Sequence, residues 1–532
     1  MNLHGQNFIG DQPGPGGRET FYAVSPLDRR QLEPAFHAAT EAEVNAAMGL
    51  AEGAFNGYRE TTGGERAVFL ERIADEIMAL GDDLIARAHL ETGLPETRLT
   101  GERARTVNQL KLFAQVVRDG SWVDARIDTA IPDRQPAPRP DLRRMLIPIG
   151  PVIVFGASNF PFAYSVAGGD TASALAAGNP VVVKAHERHP GTSELVATAI
   201  RRAVTACHLP AGVFSMLHGP GKTVGIALVR HPHACAVGFT GSRVAGRALF
   251  DAAAARLEPI PVFAEMSSLN PVFILPEALR ERGAKIAEGL KNSVTLGAGQ
   301  FCTKPGLVFG LQGTEFEQFQ QSLAELLKTV APATMLHAGI CDAYHKGLAH
   351  VSGIGGVKML ARSEQNPDAQ KTQGESVVLC TDARTFRGHA ELAGEVFGPF
   401  SILVSAPTFA ELEAIAQDLE GQLTATVHGT PGDFQKAGNL LRLLERKAGR
   451  LILNGFPTGV EVCPAMNHGG PYPATTDVRF TSVGTAAIYR FARPVCYQDF
   501  PAALLPAALR DENPLGIPRV VNGKRTQESV DR

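Results

Sequence analysis

The chain has 532 residues, 44% of them hydrophobic and 20% charged, with a net charge of −3 and an isoelectric point near 6.6. That length implies roughly two to four domains, and the near-balanced charge argues against a nucleic-acid or anionic-membrane partner. The most apolar stretch, Pro151–Phe155, falls far short of the ~18 residues a membrane helix needs.

Met1–Gly17 is polar and glycine-rich and lacks the charged-then-apolar order of an export signal, so a cytoplasmic location is expected. Seven cysteines are scattered along the chain with no C-x-x-C pair. This excludes the usual zinc and thioredoxin arrangements and fits a reducing compartment.

Glu41–Gly120 carries Ala, Leu and charged residues at helical spacing, as in Arg66–Ala79 and Val107–Val117. Ser121–Arg144 changes character, with Pro132, Pro136, Pro138 and Pro140 among arginines, and reads as an edge hairpin or extended arm. Met145–Phe155 reads as an apolar strand pair about Gly150-Pro151, and Phe162–Ala177 as a helix. Strands at Pro180–Val183, Val213–Leu217 and Ala234–Phe239 then alternate with helices, one of them Ser193–Cys207. That rhythm predicts a parallel sheet covered on both faces. It returns after Ile260, with strands at Pro271–Ile274 and Leu307–Phe309 and helices at Ile286–Leu296, Glu315–Val330, Pro407–Glu420 and Phe434–Arg446. Gly484–Pro494 reads as a strand, and Phe500–Arg532 has no predicted fold.

The sequence Gly219-Pro220-Gly221-Lys222-Thr223-Val224-Gly225 follows a strand and opens a helix, a setting that aims backbone N–H groups and the helix dipole at an anion. It is neither G-x-G-x-x-G nor a Walker loop, whose first glycine would fall on Met216. Taken alone, it suits a plain turn as well as a phosphate. A second glycine turn, Phe239-Thr240-Gly241-Ser242, ends the next strand, and two such turns at neighbouring strand ends favour a nucleotide. Cys302 sits in Gly297-Ala298-Gly299-Gln300-Phe301-Cys302-Thr303, a glycine-rich loop after a helix, where an accessible thiolate could attack an aldehyde. Glu265, at a strand end in Phe263-Ala264-Glu265-Met266-Ser267, is the candidate base, although a lone glutamate equally suits a solvated surface.

Taken in order, these segments resemble the aldehyde dehydrogenase superfamily from roughly Thr20 to Pro494. Phe155-Gly156-Ala157-Ser158-Asn159-Phe160-Pro161 is similar to its oxyanion-asparagine segment. Val181-Val182-Val183-Lys184-Ala185-His186-Glu187 is similar to its adenosine-ribose segment, and Phe239–Ser242 to its pyrophosphate turn. Glu265-Met266-Ser267, Gly299-Gln300-Phe301-Cys302 and Glu395-Val396-Phe397-Gly398-Pro399 resemble its base, nucleophile and nicotinamide-ribose segments.

The resemblance implies Cys302 as nucleophile, Glu265 as base, Asn159 with the Cys302 amide as oxyanion donors, and a supporting catalytic role for Lys184. It implies cofactor contacts from Phe155, Ala157, Ser158, Lys184, His186, Glu187, Arg188, Gly221, Gly225, Phe239, Gly241, Ser242, Met266, Glu395 and Phe397. It places Phe160, Tyr164, Phe301, Thr303 and His468 in the substrate pocket, and no metal. His468 equally suits a turn histidine.

Two features depart from the family. Ser158 stands where tryptophan is common, and Pro305-Gly306 follows the nucleophile where many members carry arginine.

The resemblance also implies a fold: two parallel-sheet α/β domains joined by a small bridging arm. Its expected parts are a nucleotide-binding domain at 1–120 and 144–264, a catalytic domain at 265–478, an oligomerisation arm at 121–143 and 479–500, and a tail at 501–532. A homodimer or homotetramer is expected.

Thr92-Gly93-Leu94-Pro95, Gly101-Glu102-Arg103, Asn454–Gly459 and Asn467–Thr475 resemble a narrower branch. That branch comprises bacterial α-ketoglutaric semialdehyde dehydrogenases and a luminous-bacterium fatty aldehyde dehydrogenase. It implies α-ketoglutaric semialdehyde as substrate, with a fatty aldehyde as the alternative. A dicarboxylate-forming enzyme needs a cation at the pocket, and Arg103, Arg105 and Lys111 are candidates. A non-catalytic relative of the family should have lost Cys302 or Glu265, and a CoA-acylating one usually lacks the glutamate; both residues are present.

The cofactor signals conflict. Glu187 repels a 2′-phosphate and favours NAD, whereas Arg188 and His189 beside Lys184 and His186 can neutralise one. Dual use of NAD and NADP is expected.

Overall fold

The structure is a computed structural model, and it describes residues 3–530. Four helices fill the expected helical region: Glu41–Arg59, Gly63–Ala79, Gly81–Thr92 and Glu96–Asp119. Thr40 and Glu43, then Thr62 and Glu65, form reciprocal capping boxes that start the first two. Their apolar faces pack with the helix Pro190–Ala206 into the largest core, over the first sheet.

That sheet has seven strands. Val262–Glu265, Ala236–Thr240, Val152–Phe155, Val181–Lys184 and Phe214–Leu217 lie side by side and parallel, and short strands at Phe8–Ile9 and Gln12–Pro13 extend the edge antiparallel. The four residues of Val181–Lys184 are all buried, as expected of a strand covered on both faces. The second seven-stranded sheet runs Lys358–Arg362, Val377–Asp382, Phe400–Ala406, Leu307–Leu311, Val272–Ile274, Gln422–His428 and Ala448–Leu453. Only Lys358–Arg362 is antiparallel to its neighbour.

Some elements differ from the sequence reading. Met145–Phe155 is not one strand pair. Leu142–Pro148 and Val152–Phe155 belong to different sheets, because Gly150, at φ +122°, turns the chain between them. Phe162–Ala177 is helical only from Gly169, and the preceding residues form turns pinned by the Glu102 carboxylate, which accepts from the Phe162 and Ala163 amides. The basic helix at Phe434–Arg446 is two helices, Pro431–Lys436 and Gly438–Glu445. Gly484–Pro494 is a 3₁₀ turn, Thr485–Phe491, leading into the strand Ala492–Gln498.

A third sheet unites the proline-rich hairpin with the C-terminus. Ala492–Gln498, Leu142–Pro148, Arg126–Asp128, Arg519–Val521 and Lys524–Thr526 lie in that order, so the arm's strand continues past residue 143. The tail is therefore folded. Arg143, only 2% exposed, ties it down by donating to the Leu509 carbonyl and pairing with Asp511 at 2.6 Å. No helix among the described residues is long and apolar enough to cross a membrane.

Candidate active site

The carboxyl ends of Val152–Phe155, Ala236–Thr240 and Val262–Glu265 open onto a cavity of about 640 Å³ between the two seven-stranded sheets. This is where an open parallel sheet ordinarily binds its ligand. Ala157, Ser158, Asn159, His186, Phe239, Gly241, Ser242, Glu265, Met266, Cys302, Glu395 and Phe397 line it. Segments that are far apart in the chain thus meet at one cavity.

The nucleophile loop follows the helix Pro276–Thr295. Gly297, Ala298 and Gly299 all have left-handed φ values, between 56° and 65°. Ala298 bears a side chain in a conformation that disfavours one, a local strain of the kind that concentrates at functional sites. At Gly299 a side chain is impossible, since a Cβ would stand 2.3 Å from the Gly398 carbonyl carbon. The backbone contact therefore locks the loop to the Glu395–Pro399 segment. Asn270 secures the other side, its Nδ2 donating to the carbonyls of Cys302 at 2.9 Å and Lys304 at 3.0 Å. Cys302 was expected to be accessible, but it is half-buried because its loop is held on both sides.

Three side chains converge at this end of the cavity. His468 Nε2 stands 3.3 Å from Cys302 Sγ and 3.0 Å from Glu265 Oε1. The Ser482 hydroxyl donates a short hydrogen bond to Glu265 Oε2. The late loop reaches Glu265 because Thr475 pairs antiparallel beside it and the Met266 amide donates to the Ala474 carbonyl at 2.7 Å. His468 is fully buried, its amide donating to Thr481 Oγ1 and its carbonyl accepting from Ser482. Asn159 Nδ2 donates to the Gln300 carbonyl at 3.1 Å, placing a buried amide donor at the nucleophile loop.

The residues present fit a dinucleotide. Ser242 caps the twelve-residue helix Arg243–Ala254 and accepts from the Ala245 amide, so the helix's positive end faces the cavity. Thr240 Oγ1 is buried there with no protein partner. A Cβ at Gly241 would lie 2.6 Å from the Phe239 ring, so only glycine leaves this turn room.

The aldehyde dehydrogenase family profile matches residues 15–473. The chain belongs to the aldehyde dehydrogenase family. It is an NAD(P)-dependent oxidoreductase that oxidises an aldehyde to a carboxylic acid. It is 53% identical to α-ketoglutaric semialdehyde dehydrogenase 2 of Azospirillum brasilense, covering 98% of this chain and 100% of that one. It is 48% identical to the α-ketoglutaric semialdehyde dehydrogenase of Acinetobacter baylyi, over 98% of this chain and 99% of that one. A betaine aldehyde dehydrogenase double mutant from Staphylococcus aureus, crystallised with NAD+, shares the fold with a TM-score of 0.79 at 20% identity, covering 93% of this chain and 97% of that one.

Not every expected residue of this dehydrogenase reaches the cavity wall. Gly221–Gly225 forms a π-helical turn that does not line it, and Gly225 packs under the Phe155 ring, where a Cβ would stand 2.8 Å away. Phe155, Lys184, Glu187 and Arg188 also lie off the wall. Lys184 is buried at the end of its strand. Phe160, Tyr164 and Phe301 form an aromatic cluster beside Asn159 and Cys302. Thr303 is buried with its hydroxyl unpartnered.

Sequence reasoning missed Ser482 and the cavity-lining His337, whose ring lies 6.3 Å from that of His186. It also missed the Arg243–Glu420 ion pair at 2.8 Å, both members of which line the cavity. Nothing local marks these residues. Of the proposed substrate cations, Arg103 donates to the Gly81 carbonyl and Lys111 is exposed near Glu71, so only Arg105 faces the aromatic cluster.

Burial pushes the Cys302 thiol well above its ordinary pKa. The Glu265 carboxylate adds to this, and Arg105 opposes it. Burial also works to raise Glu265, but His468, Ser482 and Cys302 outweigh it and hold the carboxyl below its usual range. The resting pair is therefore a protonated thiol beside an ionised carboxylate. Burial lowers Lys184 to about 8, with Glu187 opposing, and raises Glu395 against the opposing effects of Ser267 and Lys304.

Proposed function

We propose that this dehydrogenase oxidises α-ketoglutaric semialdehyde to α-ketoglutarate through a thioester on Cys302. The observation that carries the chemistry is the contact set Cys302–His468–Glu265 at the end of the cavity. The substrate rests on the two near-full-length relatives of that name.

Cys302 gives up its proton toward Glu265, with His468 within reach of both, and its sulfur bonds to the aldehyde carbon. Asn159 donates to the oxygen as negative charge develops there. Bound NAD(P)+ supplies the hydride acceptor. Glu395 and Phe397 would hold its nicotinamide ribose end, and Ser158, Gly241, Ser242 and Met266 would line the rest of its site. Lys184, His186, Glu187 and Arg188 would serve the adenosine ribose. Once it has released the thiol's proton to solvent, Glu265 takes a proton from the water that attacks the thioester and returns it to the departing sulfur, which releases the acid and restores the thiol.

Two arrangements follow from the same reading. Residues 1–120 and 149–264 bind the nucleotide and 265–478 carry the chemistry, the strand Leu142–Pro148 belonging to the third sheet. The third sheet, with edge strands Ala492–Gln498 and Lys524–Thr526, pairs subunits into a dimer or a dimer of dimers.

Both NAD and NADP are used. Glu187 repels a 2′-phosphate, Arg188 attracts one, and the attraction weakens with salt. A steady-state panel of aldehydes with both cofactors tests the function, and α-ketoglutaric semialdehyde is expected to give the highest kcat/KM. In the same assay Glu187→Thr shifts the NADP-to-NAD ratio of kcat/KM upward. An unchanged ratio would show that Glu187 does not face the 2′ position.

Asn159→Ala is expected to lower kcat by about 10²–10³, the scale of one oxyanion donor. A change confined to KM would leave Asn159 as a substrate-positioning residue.

A further inference from the structure

Phe160 follows the oxyanion asparagine and Phe301 precedes the nucleophile, and their rings meet edge to face with centroids 5.2 Å apart. Two guanidinium groups lie against them. Arg98 Cζ is 5.1 Å from the Phe160 centroid and 4.8 Å from that of Phe301. Arg105 Cζ is 5.8 Å from Phe160 and 5.2 Å from Tyr164, and its Nη2 donates to Tyr164 Oη at 3.3 Å. Both arginines belong to the helix Glu96–Asp119, two turns apart and thus on one face. A third, Arg450, donates to the Pro457 and Gly459 carbonyls and lies within electrostatic reach of Cys302 and Tyr164.

These cations are short of counter-charge. Arg98 Nη1, Arg105 Nε and Arg450 Nε are buried with no hydrogen-bond partner. Glu102 is the nearby carboxylate, felt by both Arg98 and Arg105, and one of its oxygens is engaged by the Phe162 and Ala163 amides. Aromatic faces attract guanidinium groups but offer no acceptor oxygens. Unpaired charge in a desolvated setting is unfavourable unless a ligand completes it, and arginine's planar fork matches a carboxylate.

We propose that Arg105 and Arg98, supported by Arg450, anchor a carboxylate at the far end of the aldehyde, with Phe160, Phe301 and Tyr164 enclosing the methylene chain between. The anchor makes short, carboxylate-terminated aldehydes the preferred class. This deepens the substrate reading above and rests on it. Arg98 also donates to the Asn159 carbonyl at 2.8 Å, so a carboxylate held there is coupled to the segment carrying the oxyanion donor.

The test compares glutaric semialdehyde with pentanal, matched chains that differ by the terminal carboxylate. The wild-type enzyme should favour glutaric semialdehyde by about 10²-fold or more in kcat/KM, and Arg105→Met should collapse that ratio to within about tenfold of unity, chiefly through KM for the acid. Arg98→Met should act in the same direction. A wild-type ratio near unity, a variant that keeps the wild-type ratio, or equal losses on both aldehydes would overturn the anchor. Inhibition of the wild type guards against a misfolded variant: glutarate should compete more strongly than pentanoate, and equal inhibition would also overturn it. The two readings separate on the 2-oxo group. If glutaric semialdehyde outperforms α-ketoglutaric semialdehyde while the arginine effect stands, the substrate assignment fails and the carboxylate anchor survives.

Discussion

Cys302→Ala is expected to lower aldehyde oxidation by roughly 10⁴-fold or more, the scale on which removing a covalent nucleophile acts, while NAD(P)+ still binds. No neighbour can take over. The Thr303 hydroxyl is buried without a base beside it, and the Ser482 hydroxyl is committed to Glu265. The substitution removes one sulfur from the end of the cavity and leaves the glycine turn at Phe239–Ser242 and the Glu395–Phe397 segment in place. Cofactor affinity, read by fluorescence titration of the reduced nucleotide, should stay within a few-fold of wild type, since about 1.4 kcal/mol would be needed for tenfold. Turnover within tenfold of wild type would rule out the covalent route.

Glu265→Gln is expected to separate the two halves of the reaction. Glutamine keeps the volume and an acceptor for the Ser482 hydroxyl but loses the charge. The Glu265 carboxylate helps to raise the Cys302 thiol, so removing it lowers the thiol's pKa, and His468 Nε2, 3.3 Å from the sulfur, remains to take the proton in its place. Alkylation of resting Cys302 by iodoacetamide should accordingly begin at lower pH in the variant than in wild type. Hydrolysis of the thioester, by contrast, loses its base, a loss of about 10²–10⁴. Rapid mixing should then show a burst of reduced cofactor equal to the enzyme, followed by slow steady turnover. A variant with no burst and slow hydride transfer would make Glu265 the base for the thiol alone, and wild-type rates throughout would remove it from the chemistry.

The sequence by itself determined the segments whose geometry is local. Parallel strands buried on both faces read as continuous apolar runs, and a glycine turn that ends a strand and opens a helix, as at Phe239–Ser242, carries its conformation in its own residues. Local pattern placed Glu265 at a strand end and Cys302 in a glycine-rich loop, the family resemblance added Asn159 and Glu395, and the structure gathers all four at one cavity.

Tertiary structure decided what surrounds them. His468 and Ser482 reach Glu265 only because the chain near Thr475 runs beside the strand Val262–Glu265, a pairing across some two hundred residues that no local pattern encodes. Arg98 and Arg105 look like ordinary charges on a helix until Phe160 and Phe301 arrive from two other segments to cover them. The tail Phe500–Arg532 lacks periodicity of its own. Its strand Arg519–Val521 forms because Arg126–Asp128 offers an edge and because Arg143 clamps the turn at Leu509 and Asp511. Short strands gain their hydrogen bonds from a partner edge, and the partner here lies more than three hundred residues away in the chain.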